Sequence, residues 1–140
     1  MISGTIKKKV RKKSILVIDD EQRIVEILTR FLVLQGFDTK KAYDGRRGLS
    51  MLKRGSPVDL VLLDENMPGM RGGTFLEQLK ELGINVPVVV LTGSINVSEL
   101  DRSRKKIYKH LLIKPVRLSE LVKLINRILV SKRKKRVGRS

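Results

Sequence analysis

Asp19, Asp20, Asp64, Thr92 and Lys114 have the types that phosphoryl chemistry needs, and each stands at the end of a short apolar run. Three carboxylates brought close together repel one another and raise their pKa values unless a cation sits between them. Hard oxygen ligands of this kind suit Mg²⁺, which keeps several waters and commonly shares phosphate oxygens. A lysine ammonium and a threonine hydroxyl on the same rim can bind phosphoryl oxygens. An aspartate carboxylate can attack phosphorus and form an acyl phosphate. The set reads as a place to accept a phosphoryl group, with the metal and Lys114 neutralising it.

A regular alternation of elements has to position these residues. Residues 14–18 (SILVI) predict a buried strand. A helix is expected over 20–36, with Ile24, Ile27, Leu28, Phe31, Leu32 and Leu34 at helical spacing and Gly36 as its stop. A more polar strand at 37–43 leads to a short helix at 44–55 with Leu49 and Leu52 facing inward. The third strand, 58–63, stops at Asp64, and a Pro/Gly-rich turn leads to a helix at 74–82. A fourth strand at 86–91, a charged helix at 97–107 and a short strand at 111–113 follow. Residues 118–130 close the pattern as an amphipathic helix with Leu121, Leu124, Ile125, Ile128 and Leu129 on one face, which the basic tail can prolong.

Five strands alternating with five helices imply an α/β fold, a doubly wound parallel sheet covered on both faces. In such sheets ligands bind beyond the carboxyl ends of the strands, where the strand order reverses. All five residues fall on that rim.

Composition narrows the class. Hydrophobic residues make up 41% of the 140 and charged ones 32%, enough for a packed core and against a wholly disordered chain. The absence of cysteine excludes a disulfide scaffold and a thiolate metal site. Apolar runs reach only four residues, whereas a membrane-spanning helix needs ~20. The first thirteen residues are basic with no apolar stretch behind them, so a secretory signal is not expected and a cytoplasmic location is. The net charge of +17 is concentrated at the ends. Residues 1–13 carry six Lys/Arg and no acid, and residues 131–140 carry six more and no acid. The expected organisation is a basic N-terminal extension at 1–13, a mildly basic globular domain at 14–130 and a basic C-terminal extension at 131–140.

ILVIDDE at 15–21, LVLLDENMPGMRG at 60–72, VVVLTG at 88–93 and LLIKPV at 111–116 give the chain its resemblance to the receiver domain of two-component response regulators. The match covers about residues 14–130 in order and spacing. It implies a flavodoxin-like (βα)5 fold with strand order 2-1-3-4-5, and Asp64 as phosphoacceptor. Asp19, Asp20, Asp64 and the backbone carbonyl of Asn66 would hold Mg²⁺, Asp20 directly and Asp19 through water. Thr92 would hydrogen-bond the phosphoryl group and Lys114 would pair with it, and Pro115 matches a proline often joined by a cis bond. The donor would be a histidine kinase or phosphotransfer protein. The chain would assist its own phosphorylation without turning over a separate metabolite, so it is not expected to be an enzyme in that sense.

Blander roles exist for each residue: Asp19 and Asp20 as helix-capping acids, Asp64 as a turn residue, Thr92 as a strand-end hydroxyl and Lys114 as a solvated charge. His110, the sole histidine, has no partner of metal or triad type in the sequence and reads as structural. Two positions depart from the family pattern. Leu111 stands where a tyrosine or phenylalanine is usual, with Tyr108 three residues too early, and Glu65 stands where an apolar or aromatic residue is usual. Only ten residues follow Val130, so the expected output is a stand-alone receiver acting on a protein target through the surface formed by 97–107, 111–113 and 118–130. The alternative is a receiver-like module that binds nucleic acid or an anionic surface through its basic tails. Neither tail has an aromatic residue for base stacking.

Overall fold

The computed structural model describes residues 11–93 and 108–137. The helix expected at 97–107 lies outside the described residues. The elements are β1 (Ser14–Ile18), α1 (Gln22–Leu34), β2 (Asp38–Ala42), α2 (Gly45–Lys53), β3 (Leu60–Asp64), α3 (Gly72–Glu81), β4 (Val88–Thr92), β5 (His110–Ile113) and α4 (Leu118–Val137). The strands form one parallel sheet in the order β2-β1-β3-β4-β5.

Every residue of β1, β3 and β4 is buried, as expected for inner parallel strands with both faces covered. Strand side chains alternate between faces. Ile15, Val17, Leu60, Leu62, Val89 and Leu91 therefore share one core with Val25, Leu28 and Leu32 of α1 and Leu121, Ile125 and Ile128 of α4. Leu16, Ile18, Val61, Leu63, Val88 and Val90 share the other with Leu49 and Leu52 of α2 and Phe75 and Leu79 of α3. The edge strand β2 is polar, and Lys40 reaches from it to the Ser14 hydroxyl at 2.9 Å and the Pro57 carbonyl at 2.6 Å.

Three details differ from the sequence reading. The inward stripe of α1 is Val25, Leu28, Thr29 and Leu32, while Ile27 and Leu34 are exposed (57% and 82%). Thr29 tolerates its inward place because its hydroxyl donates to the Val25 carbonyl at 2.8 Å. Strand β3 runs through Asp64 because that residue still pairs with Leu91 of β4. Helix α3 starts at Gly72, two residues early, since the Arg71 carbonyl already accepts the Phe75 N–H at 3.1 Å.

The last helix continues to Val137, taking in part of the basic C-terminal segment. Its 20 residues span about 30 Å, against about 17 Å for a five-residue strand. At the rim where the strands begin, the Asp59 carboxylate accepts the Ser14 N–H at 2.7 Å and the Arg11 guanidinium at 3.1 Å. The described part of the basic N-terminal segment thus lies at the rim opposite Asp64.

Close approach of α2 to β1 requires a glycine. A side-chain carbon at Gly48 would collide with the Ile18 methyl, and Ile18 is itself fully buried. Gly48→Val is therefore expected to lower stability by about 1–3 kcal/mol through overpacking, read as a lower urea midpoint at unchanged m-value.

Candidate functional site

Register decides which residues meet. Ile18 of β1 pairs with Leu63 of β3, so Asp19 emerges beside Asp64. Asp64 pairs with Leu91, and Thr92 pairs with Ile113 of β5. The Lys114 N–H then donates to the Thr92 carbonyl at 2.7 Å, continuing the ladder one residue past β5. Four strand ends deliver all five sequence-predicted residues to one rim.

Carboxylate oxygens of Asp19, Asp20 and Asp64 lie within 4.8 Å of one another. Asp19 and Asp64 are buried, at 2% and 5% exposure, and Asp20 is exposed. The Lys114 ammonium sits 3.2 Å from Asp64 Oδ1 and 3.9 Å from Asp19 Oδ2. Asp64 Oδ1 also accepts the Asn66 N–H at 3.4 Å, at the start of the following turn. Gly69 takes a φ of +86° within that turn, a conformation glycine adopts without strain. The Lys114–Pro115 peptide is cis.

Asp19 divides its two oxygens. Oδ1 accepts the Glu21 N–H at 2.9 Å, holding the approach to α1, whereas Oδ2 is buried with no hydrogen-bond partner. Burial, above all, pushes the Asp19 pKa up to about 6, with Asp64 and Asp20 adding to it. The Glu21 N–H and Lys114 pull the other way. That bond is made ahead of α1, whose start has no side-chain capping bond, so it occupies one oxygen of Asp19 and leaves the other facing the acidic cluster. His110 opens β5, and burial and Lys109 pull its pKa down.

Glu65 continues the alternation of β3 and so points to the face opposite Asp64. Although a carboxylate, it is 7% exposed, and its Oε1 accepts the Tyr108 hydroxyl at 3.2 Å. Sequence reading named Glu65 as a departure and Tyr108 as the aromatic nearest Leu111, and did not join them. Leu111 packs among the apolar residues of that same face. An acid just past the end of β3 and an aromatic with a polar tip just before β5 were the available signal.

The family model for the response regulator receiver domain matches residues 15–126. The chain belongs to this family. Response regulator MprA of Mycolicibacterium vanbaalenii is 36% identical over 108 residues, covering 77% of this chain and 46% of the relative. The receiver therefore spans about half the length of the curated relatives it matches. Among solved structures, a response regulator receiver domain protein from Clostridium thermocellum aligns with TM-score 0.77 and 28% identity, covering 86% of this chain and 97% of the other. The Francisella response regulator 1452 receiver domain aligns with TM-score 0.78 and 26% identity, covering 86% and 99%. The strand order expected from the sequence is the one observed. The protein is a receiver module of the two-component signalling class, and no helix among its described residues is long and apolar enough to cross a membrane.

The raised Asp19 pKa has a sign that can be measured in the metal-free receiver. The unfolded chain releases this proton near 3.8 and the folded chain near 6. Between those values the native state binds more protons, so Asp19 withdraws stability as pH rises through that window. Asp19→Asn should remove this loss, making the variant gain relative to wild type between pH 4 and about 6 in urea melts with chelator. Parallel pH profiles of the two proteins would contradict it.

Proposed function

We propose that Asp64 accepts a phosphoryl group from a histidine kinase or phosphotransfer protein, and that the receiver signals through contacts that depend on its phosphorylation. The support is one observation: three acids and a lysine converge on a rim where a buried oxygen, Asp19 Oδ2, accepts no hydrogen bond. A hard divalent cation fits that donor set. Asp19, Asp20, Asp64 and the Asn66 backbone carbonyl would hold Mg²⁺. Bound there, Mg²⁺ supplies positive charge against the phosphoryl oxygens.

The chain's own residues do the rest. Buried at the end of an inner strand, Asp64 presents its carboxylate from a rigid position. A carboxylate oxygen attacks the phosphorus of a phosphohistidine. The O–P bond forms as the P–N bond breaks, and the leaving imidazole nitrogen keeps the electron pair and takes up a proton. Lys114, already 3.2 Å from Asp64, offers its ammonium to the charge gathered on the phosphoryl oxygens. Thr92, at the end of the neighbouring strand, offers a hydroxyl. The product is an acyl phosphate on the receiver, so the chemistry modifies the protein and releases no metabolite.

The downstream partner is a protein with acidic character, because the surface of β5 and α4 exposes Arg117, Lys123 and Arg127 around the single acid Glu120. A cytoplasmic location follows from the same reading. The receiver role is preferred to anion binding by the basic segments because the rim residues converge on one buried pocket.

Asp64→Asn should abolish base-labile phosphate incorporation from a kinase or from acetyl phosphate with Mg²⁺. Label of wild-type yield on that variant, mapped to another residue, would overturn the assignment. Asp20→Ala should weaken Mg²⁺ binding by at least about tenfold in a calorimetric titration, and an unchanged affinity would remove Asp20 from the ligand set.

A further inference from the structure

Glu65 is the residue next to the phosphoacceptor, yet its side chain points to the other face of the sheet. Its backbone N–H donates to the Leu91 carbonyl at 2.9 Å, and its carboxylate accepts the Tyr108 hydroxyl at 3.2 Å. One residue is thereby tied to β3 by the chain, to β4 by its main chain and to the lead-in of β5 by its side chain. The start of α3 packs beside this bond. A side-chain carbon at Gly72 would stand 3.4 Å from the Tyr108 hydroxyl and 3.6 Å from Glu65 Cγ, an ordinary van der Waals distance from each.

The turn that follows Glu65 begins with Asn66, whose N–H rests on Asp64 Oδ1. Its carbonyl is the one backbone atom in the proposed metal set. The direction in which the chain leaves β3 decides where that carbonyl points, and Glu65 is anchored on both sides of that departure. We propose that Glu65 and Tyr108 form a positioning pair, in which the Tyr108 hydroxyl, acting through Glu65, sets the turn that presents Asn66 to the metal. Tyr108 does not touch the reacting atoms. It fixes the turn from the opposite face of the sheet, and it ties the lead-in of β5 to the pocket while Leu111, having no hydroxyl, packs among apolar neighbours. Loading of the pocket is then felt at Tyr108, because the turn and the phenol are joined through the Glu65 hydrogen bond.

The inference rests on the phosphoacceptor reading of Asp64, and the test separates the two. Phosphorylation of the full chain by acetyl phosphate is followed as a function of Mg²⁺ concentration. Tyr108→Phe deletes only the hydroxyl and should raise half-saturating Mg²⁺ about tenfold, with a smaller change in the limiting rate. Glu65→Ala should do the same, and the double variant should be no worse than the poorer single variant, since both remove one interaction. Glu65→Gln keeps an acceptor oxygen and should recover most of the affinity. The chain has two tyrosines and no tryptophan, so Tyr43→Phe leaves Tyr108 as the sole emitter. Its emission should shift saturably with Mg²⁺ and beryllofluoride, and that shift should vanish when Glu65→Ala is added. Unchanged half-saturation in Tyr108→Phe, or single effects that multiply in the double variant, would overturn the pair while leaving Asp64 phosphorylation intact. A wild-type chain that takes no phosphate on Asp64 would overturn the phosphoacceptor reading, and the positioning role with it.

Discussion

Like charge confined at the end of an apolar sheet is the constraint around which the receiver is arranged. Three carboxylates share a space in which their oxygens lie within 4.8 Å, and two of the three acids are buried. Such a cluster is costly in isolation, because burial and mutual repulsion both disfavour the charged form. Lys114 partly offsets that cost by standing 3.2 Å from Asp64, and the Glu21 N–H offsets more at Asp19. Asp19 Oδ2, buried 3.9 Å from the Lys114 ammonium and accepting no hydrogen bond, keeps a lone pair open to a cation.

The sheet makes that confinement tolerable by being rigid. β1, β3 and β4 are buried along their whole length, and helices cover both faces. Carboxylates carried on such strands cannot relax apart as they would on a surface loop, so their repulsion is held within the fold. Packing stability is thereby converted into a preorganised acidic pocket. The glycine at 48 serves the same end by letting α2 approach β1 closely.

One connection away from the pocket is a polar contact across a largely apolar layer. Glu65 lies one residue beyond Asp64 and faces the opposite core, where Tyr108 meets it. An isolated carboxylate would be out of place there. Bonded to a phenol, it joins the turn after β3 to the lead-in of β5 without disturbing the apolar residues around it.

Much of this was legible in the amino-acid order. Apolar runs of β-branched residues marked the inner strands, because a strand buried on both faces needs an unbroken apolar sequence. Polar residues at the ends of those runs marked the rim, and the parallel topology dictated that all the ends face one way. The inward face of α1 was less legible: Ile27 and Leu34 have apolar side chains but lie on the solvent side, and Thr29 takes an inward place through a backbone hydrogen bond that composition does not reveal. The end of β3 was set by pairing with β4 rather than by the change from leucine to aspartate. Residue types and spacing marked five polar residues at the strand ends as a candidate site. Only the tertiary structure decided which oxygen of Asp19 is left without a hydrogen bond, and that Glu65 and Tyr108, 43 residues apart, are joined, because both depend on strand register and on the face to which each side chain is turned.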